Sequence, residues 1–248
     1  MAPYIHIYIP GYALFVAVGV FFSLCVIYQR NQKYKFNLKE LLFLAVANVA
    51  GVVLGSKFLF ILTKLPELFN EFSFSALIKL IITSGFVFYG GLLGAMLFTM
   101  ICCAVLRTDR TRVFNFLTPA YLVFHACGRI GCFLAGCCYG KESEIGFVMA
   151  DGVCRFPIQL VECGCNLLIL CGIIGLEKRE KGLCLVRVYL LAYSLCRFLL
   201  EFLRGDEIRG IWAGISTSQW ISIAIFSVVS VLELRKLIIN QRERVTEV

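Results

Sequence analysis

The stretch Gly128-Arg129-Ile130-Gly131-Cys132-Phe133-Leu134-Ala135-Gly136-Cys137-Cys138-Tyr139-Gly140 places one charge, Arg129, in an apolar run interrupted by glycines. The chain around it is strongly apolar, because 60% of its 248 residues are hydrophobic and its mean hydropathy is +0.85. A soluble domain is closer to half apolar. The composition therefore predicts an integral membrane protein. An arginine inside a membrane segment is costly and indicates a functional site.

Seven apolar stretches are each long enough to cross a bilayer as a helix. They lie near residues 10–29, 40–63, 86–106, 113–136, 157–176, 184–203 and 217–239. Their number and composition predict an all-α membrane protein that forms one seven-transmembrane-helix bundle over residues 1–248. Two further features are expected outside the spans. An amphipathic segment at 72–82 predicts a short interfacial helix, and the mixed segment 141–155 predicts a small external cap that contains a hairpin or an irregular turn.

The basic residues indicate how the spans are oriented. Fifteen of the 24 lysines and arginines lie at 29–39, 107–112, 177–187 and in the C-terminal tail, which are alternate connections. Because lysine and arginine accumulate on the cytoplasmic side, the N-terminus is expected outside and the C-terminus in the cytoplasm. This topology accounts for the net charge of +8, so no nucleic-acid partner is expected.

Polar residues of the spans are expected to meet near the outer side of the membrane. On the fourth span, His125 and Arg129 are one turn apart and share a face. With this orientation, polar residues from six spans fall in the outer leaflet: Tyr12, Tyr89, Arg129, Glu162, Arg197, Glu201, Arg204 and Gln219. Structural ion pairs are the alternative interpretation, but buried pairs rarely stabilise a protein, which favours a functional site.

The sixth span carries the clearest pattern of this group. Tyr193, Arg197, Glu201 and Arg204 recur at helical spacing and project from one face. The three arginines of the site outnumber its two glutamates, so an anionic phosphate or carboxylate is the expected ligand. One guanidinium can donate two parallel hydrogen bonds to two oxygens of the same phosphate. A phospholipid entering from the outer leaflet fits such a pocket. Asp206, two residues beyond Arg204, is expected in a solvated connector.

Two other groups of residues leave alternatives open. The glycines of Tyr89-Gly90-Gly91 permit close approach either of another helix or of a ligand head group. Most of the 13 cysteines lie in apolar spans and are expected to behave as small hydrophobic side chains. Four lie towards the outer face, where thiols and a disulfide from Cys154 to Cys137 or Cys138 are both consistent with the sequence. These four are Cys132, Cys137, Cys138 and Cys154.

Neither a metal nor a cofactor is expected. Four outer cysteines are enough in principle to bind zinc, but too few histidines lie near them to favour such a site.

At these motifs the chain resembles the bacterial phosphatidylglycerol:prolipoprotein diacylglyceryl transferases, which are seven-helix membrane enzymes. The resemblance covers most of the chain. It implies transfer of the diacylglyceryl group of phosphatidylglycerol to the lipobox cysteine of a preprolipoprotein signal peptide, with release of glycerol 1-phosphate, at the bacterial cytoplasmic membrane. The similar residues are Gly128 to Gly131 with Phe133 and Gly136 to Gly140, Tyr193, Arg197, Glu201 and Arg204, Pro157 to Leu160 with Glu162, Gly90 and Gly91, Ser218, Gln219 and Ser222, and Tyr12.

The resemblance, together with the polar pattern, assigns roles to these residues. The expected catalytic residues are Arg129, Arg197, Glu201 and Glu162, and Arg129 matches the arginine that contacts the lipid phosphate. The expected substrate-binding residues are Arg129, Arg204, Tyr193, Tyr12, Tyr89, Gly90, Gly91, Gln159 and Gly140.

The chain departs from the family pattern at four positions. Tyr89 and Phe156 stand where the family has histidines, Cys132 where it has asparagine, and Cys137 where it has glutamate. A neutral tyrosine is a poor base near neutral pH. If the reaction is kept, the acceptor thiol loses its proton to another group, for which Glu162, Glu201 and His125 are candidates.

Three other functions remain open from the sequence. One is a divergent lipid transferase with another acceptor. A second is a thiol relay in which Cys137 or Cys138 carries the transferred group. The third is a non-catalytic protein that binds or transports a phospholipid or another anion, although a transporter is expected to have polar residues at the midplane and on the inner side, where these spans are apolar.

Overall fold

The structure is a computed structural model that describes residues 4–5, 9–70, 87–149, 152–180, 182–206 and 211–246. Each predicted span coincides with a helix in this part of the chain. The helices are α1 (Gly11–Tyr34), α2 (Leu38–Asn70), α3 (Phe88–Leu106), α4 (Arg110–Leu134), α5 (Ile158–Arg179), α6 (Leu185–Glu201) and α7 (Thr217–Thr246).

Five of these helices are long and apolar enough to cross a membrane. They are α1, α2 over Leu38–Leu62, α3, α4 and α5. The chain is therefore a largely helical protein that crosses the membrane several times. The membrane-spanning part of α2 agrees with the expected second span, and the helix itself continues to Asn70. The predicted interfacial helix at 72–82 lies outside the described residues.

Short antiparallel hairpins occupy some of the connections. They pair β1 (Tyr4–Ile5) with β2 (Ile9–Pro10), β3 (Glu142–Val148) with β4 (Cys154–Arg155), and β5 (Ile211–Trp212) with β6 (Ile215–Ser216). The hairpin expected within 141–155 is thereby confirmed. Gly146 lies where β3 is irregular, and a Cβ there would overlap the carbonyl of Arg155.

The chain divides into two compact units, of which one comprises residues 33–113. Its helices α2 and α3 pack through glycines, since a Cβ on Gly51, Gly55, Gly90 or Gly94 would overlap the backbone of the opposite helix. Small residues allow this close approach in membranes, where apolar burial gives no preference for helix association. Helix packing therefore accounts for Gly90. It also accounts for Gly91, because a Cβ there would lie only 2.6 Å from the hydroxyl oxygen of Ser56 on α2.

The other unit comprises residues 1–32 and 114–248 and contains helices α5 to α7 together with most of α1 and α4. Its helices are joined at one end by polar contacts. Arg30 of α1 binds both carboxylate oxygens of Glu177 on α5 at 2.9 Å. The amide of Asn115 on α4 accepts a hydrogen bond from the backbone N–H of Leu185, where α6 begins, at 2.7 Å. These contacts fix the register of four helices, and the remaining buried charges lie towards their opposite ends.

Candidate active site

Glu162 lies at the centre of the buried charges. It follows the first turn of α5, where its carboxylate, 2% exposed, faces α4 and α6. Its Oε1 atom accepts hydrogen bonds from Nη2 of Arg129 at 3.0 Å and from the hydroxyl of Tyr193 at 2.8 Å. Nη1 of Arg197 lies 4.0 Å from its other oxygen. One carboxylate therefore positions both arginines of two different helices.

His125 lies beside the same carboxylate. It is buried one turn before Arg129 on α4, and its Nε2 atom is 3.7 Å from Oε1 of Glu162. Its Nδ1 atom is within hydrogen-bond distance, 3.2 Å, of the hydroxyl of Tyr189. The edge of its ring meets the ring of Tyr193 at 4.7 Å between centroids. The predicted common face of His125 and Arg129 thus points to Glu162.

Glu201 is a second buried carboxylate, at the end of α6. It binds Nη2 of Arg197 at 2.6 Å and accepts a hydrogen bond from the hydroxyl of Ser216 at 2.8 Å. Ser216 precedes α7 and forms a capping box with Gln219. The backbone N–H of Ser216 donates to Oε1 of Gln219 at 2.9 Å, and the backbone N–H of Gln219 donates to the hydroxyl oxygen of Ser216 at 3.2 Å. Gln219 is therefore explained by the start of α7, and that helix start holds Glu201.

Asp206 corrects two expectations from the sequence. Its side chain is 8% exposed, and it takes both Nε and Nη2 of Arg204 at 2.9 Å, so the expectation of a solvated connector was wrong. The expected surplus of positive charge was also wrong, because Asp206 joins Glu162 and Glu201 to balance the three arginines. Burial acts to lower the pKa of Arg204, but the hydrogen bonds to Asp206 outweigh it and the pKa is raised.

Several buried polar atoms in this region lack a hydrogen-bond partner among the described residues. On the arginines these are Nη1 of Arg197 and Nη1 of Arg204. Two amide side chains of α5 contribute Oε1 of Gln159 and both polar atoms of Asn166. A buried donor without an acceptor costs about 1–3 kcal/mol, and more when it is charged. The two guanidiniums therefore have donors available for an anion.

Three cysteines form a compact group, here called the thiol cluster: Cys132 in the last turn of α4, and Cys137 and Cys138 in the turn that follows it. Their sulfur atoms all lie within 4.8 Å of one another. The chain folds back because Gly136 and Cys138 adopt left-handed conformations, with φ of 68° and 57°. The backbone N–H of Cys137 donates to the carbonyl of Cys132 at 3.1 Å, and Gln159 donates to the carbonyl of Cys137 at 2.8 Å.

The conformation of Cys138 is unfavourable for a residue with a side chain. It costs on the order of 1 kcal/mol or more, which a tightly determined turn can sustain. Hydrogen bonds from the thiols of Cys132 and Cys137, followed by the charges of Arg204 and Arg129, lower the pKa of Cys138. No S–S bond joins any two of the thirteen cysteines in the structure, and the choice between thiols and a disulfide from Cys154 stays a prediction.

Backbone contacts join the thiol cluster to the end of α6. Gly140 pairs with Arg204, the N–H of Gly205 donates to the carbonyl of Tyr139 at 3.1 Å, and the N–H of Lys141 donates to the carbonyl of Leu203 at 2.9 Å. A Cβ on Gly140 would overlap the carbonyl of Phe156, so this position requires glycine for the fold. Arg204 is thereby held next to the thiol cluster.

Comparison with known proteins shows the family of this chain. The sequence profile described as prolipoprotein diacylglyceryl transferase matches residues 2–234. The chain belongs to this family. A protein of Clostridium tetani named phosphatidylglycerol--prolipoprotein diacylglyceryl transferase is 28% identical over 228 residues, which cover 86% of this chain and 87% of that protein. A protein of the same name from Polynucleobacter asymbioticus is 31% identical over 231 residues, which cover 87% of this chain and 84% of that protein. A second such protein of Clostridium perfringens is 31% identical over 227 residues, covering 87% and 86%.

The structure brings together most residues that the family resemblance singled out. Those in mutual contact are Arg129, Glu162, Tyr193, Arg197, Glu201 and Arg204, while Gln159 and Gly140 position the turn that carries the thiol cluster. Tyr12 opens α1, is 44% exposed and lies near Gly131, whose added Cβ would be 3.3 Å from its ring. Tyr89, Gly90 and Gly91 belong to the unit 33–113, with Tyr89 buried. The catalytic and binding roles of all these residues stay predictions.

Sequence reasoning missed three residues of this family member's site. Ser216 had a detectable signal, the spacing of a capping box to Gln219. Asn166 lies one turn beyond Glu162 on α5, so helical periodicity places it on the same face. Asp206 follows the end of α6 and no periodic pattern points to it. Two of the four departures from the family pattern, Cys132 and Cys137, fall in the thiol cluster.

Proposed function

We propose that this chain transfers the diacylglyceryl group of phosphatidylglycerol to the lipobox cysteine of a preprolipoprotein. The observation that carries the proposal is the pair of buried guanidiniums, Arg197 and Arg204, each with an Nη1 atom that makes no hydrogen bond in the described part of the chain; that of Arg197 lies 4.0 Å from Glu162, beyond hydrogen-bond distance. An anionic head group is the ligand that such donors bind. Membership of a family of diacylglyceryl transferases supports a phospholipid as its source.

The reaction is a displacement at the glycerol carbon of the lipid that bears the phosphate. The acceptor sulfur donates a lone pair to form the C–S bond, the C–O bond breaks, and its electron pair leaves with glycerol 1-phosphate. Negative charge grows on the phosphate oxygen as that bond breaks. Arg129, Arg197 and Arg204 are placed to stabilise this charge, and preorganised donors in a buried site are strongest at this task.

The two glutamates act as positioning residues in this mechanism. Glu162 orients Arg129 and Arg197, and Glu201 orients Arg197 while Ser216 holds its other oxygen. Tyr193 donates to Glu162 and fixes the carboxylate in turn. This arrangement fixes two guanidiniums before the lipid arrives, which lowers the ordering cost of binding.

A direct assay tests the proposed function. Purified full-length protein is mixed with phosphatidylglycerol vesicles and a peptide that contains a lipobox cysteine, and mass spectrometry follows the peptide and released glycerol phosphate. We expect the peptide to gain one diacylglyceryl group, whereas the same peptide with serine at the acceptor position stays unmodified. Lipid binding without transfer would contradict the proposal and favour a non-catalytic phospholipid-binding protein.

The site is proposed to face the outer half of the cytoplasmic membrane, in a seven-span topology with the N-terminus outside. The buried charges cluster where α4 and α6 end and where α5 and α7 begin, whereas the Arg30–Glu177 pair and the basic connections belong to the opposite ends. This separation agrees with the accumulation of lysine and arginine on the cytoplasmic side.

Reporter fusions test this orientation. A fluorescent protein placed after Val248 is expected to fold and fluoresce in the cytoplasm. Alkaline phosphatase, which is active only outside, is expected to be active when it is fused after Gly152 in the β3–β4 hairpin. The reverse pattern of the two reporters would overturn the orientation and place the charged site on the cytoplasmic side.

A further inference from the structure

The thiol cluster has the composition and spacing of a metal site. Its three sulfur atoms lie within 4.8 Å of one another, with Cys137 exposed and the other two half-buried. The turn that gathers them contains two left-handed residues, Gly136 and Cys138, and Gln159 fixes its backbone. A strained residue in a turn held from several sides is a frequent mark of a functional site.

We propose that Cys132, Cys137 and Cys138 bind a Zn²⁺ ion, and that the remaining coordination position takes the thiol of the acceptor cysteine for transfer. The inference rests on the proposed function, since it names the group that prepares the acceptor for that reaction. It also replaces the expectation of no metal. That expectation came from the small number of histidines, but three cysteines that already converge need no histidine.

Zinc suits this donor set better than the other ions common in proteins. Thiolates are soft ligands that Zn²⁺ binds well, whereas Mg²⁺ and Ca²⁺ select oxygen. A site with three protein ligands and one open position is the pattern of catalytic zinc, while structural zinc sites are closed by four ligands. The exposed side of Cys137 provides the entry for a fourth ligand.

The charges around the thiol cluster favour its metal-bound form. Three thiolates and one Zn²⁺ carry a net charge of −1. Arg204 is held beside the cluster by the pairing of its backbone with Gly140, and Arg129 lies one turn before Cys132 on α4. The two guanidiniums offset that charge, and the same two residues are proposed to bind the lipid phosphate. The acceptor sulfur and the leaving phosphate would therefore lie on neighbouring groups of one site.

The chemistry of the step balances without an oxidant or a reductant. On coordination the acceptor thiol loses its proton to water, because a thiol bound to zinc is deprotonated. The resulting thiolate forms the C–S bond and glycerol phosphate leaves with the C–O electron pair. The product is a neutral thioether, a weaker ligand than a thiolate, so it dissociates from the metal. Zinc would thereby deprotonate the acceptor thiol, a task for which this chain has Tyr89 where the family has a histidine.

A thiol relay does not explain the cluster as well. If Cys137 or Cys138 attacked the lipid itself, the result would be a thioether on the protein. A thioether has no good leaving group under these conditions, so the diacylglyceryl group would not move on to a second thiol. The cluster is therefore better suited to hold the acceptor than to carry the transferred group.

Metal titration of the purified full-length protein is the first test, and it needs no activity. Co²⁺ is the probe, because its bonds to thiolates give charge-transfer absorption. We expect one Co²⁺ per chain, displaced by Zn²⁺, and affinity lowered on the order of 100-fold or more in Cys137→Ser and Cys138→Ser. Cys154→Ser, in the neighbouring hairpin, is the matched control and should bind as the unchanged protein does. Absence of stoichiometric thiolate–cobalt absorption in the unchanged protein would overturn the site.

Acceptor binding is the second test. A lipobox peptide with cysteine should shift the cobalt absorption, and the same peptide with serine should not. A shift with both peptides, or with neither, would overturn the role of the metal in holding the acceptor.

Transfer assays separate this inference from the proposed function. Removing the metal should abolish transfer and Zn²⁺ should restore it. Arg129→Ala should still bind one Co²⁺ per chain, with an affinity lowered less than in the cysteine variants, but fail to transfer. Full transfer by the metal-depleted protein would overturn the inference and leave the proposed function intact. A disulfide between two thiols of the cluster, with no metal bound, would do the same. Metal binding with no transfer by any form of the protein would overturn the proposed function, and with it the acceptor role.

Discussion

Replacing Arg129 with alanine is expected to lower the rate of diacylglyceryl transfer by at least about 100-fold, the scale seen when one donor to a developing oxyanion is removed. Arg129 is the only charge in its apolar stretch, and Glu162 holds its Nη2 atom at 3.0 Å. Cys132 of the thiol cluster lies one turn further along α4, and the leaving phosphate is proposed to bind beside Arg129. The measurement is the initial rate with phosphatidylglycerol vesicles and a lipobox peptide.

Two further variants make the Arg129 result interpretable. Alanine leaves the buried carboxylate of Glu162 without its closest cation, so Arg129→Gln, which keeps hydrogen-bond donors, is measured beside it together with thermal unfolding. Arg187→Ala is the matched control, because Arg187 lies on α6 but pairs with Glu233 at the surface, with about a third of each side chain exposed. It should change the rate less than about twofold, since exposed pairs contribute little. Wild-type transfer by folded Arg129→Gln would contradict the proposed role.

Replacing Glu162 with glutamine is expected to destabilise the protein by about 3–5 kcal/mol, the usual cost of removing one partner from a buried ion pair. The variant keeps the size of the side chain and a carbonyl oxygen for the hydroxyl of Tyr193. It removes the negative charge between Arg129 and Arg197, whose guanidiniums then repel each other. We expect transfer to fall on the order of 100-fold, because both guanidiniums lose their fixed positions.

The lipid itself gives a sharper form of this second prediction. An anionic head group supplies the negative charge that Glu162→Gln lacks, so phosphatidylglycerol should raise the midpoint of thermal unfolding more in the variant than in the unchanged protein. A zwitterionic lipid should not. Glu233→Gln, which alters the surface pair with Arg187, should change the free energy of unfolding by less than about 1 kcal/mol. Equal stabilisation of both proteins by phosphatidylglycerol would argue against a phosphate beside Arg129 and Arg197.

The helices and much of the site could be predicted because both depend on local periodicity. Length and apolar composition located the helices in the described part of the chain, although α1, α2 and α7 continue about five to seven residues past the expected ends of their spans. The common face of Tyr193, Arg197 and Glu201 follows from 3.6 residues per turn, whereas Arg204 lies three residues beyond the end of α6. Glu162, which joins α4 and α6, was found because a charge in an apolar span is rare.

The parts that sequence reasoning missed depend on contacts between elements or on backbone conformation. Asp206 was expected to be solvated because both Asp206 and its partner Arg204 lie beyond the end of α6, where no helical periodicity indicates which side chains meet. Gln219 was read as part of the polar pocket, but its side chain caps the start of α7. The convergence of the thiol cluster requires left-handed conformations at Gly136 and Cys138, and sequence gives no reason to expect one at a cysteine.

The balance of Arg129, Arg197 and Arg204 against Glu162, Glu201 and Asp206 bears on turnover. A pocket with no surplus of cations attracts a lipid monoanion through oriented donors rather than through net charge. Glycerol 1-phosphate, in contrast, carries close to two negative charges at neutral pH. Repulsion from three fixed carboxylates then favours its departure, so product inhibition should be weak and the emptied pocket should accept the next lipid quickly.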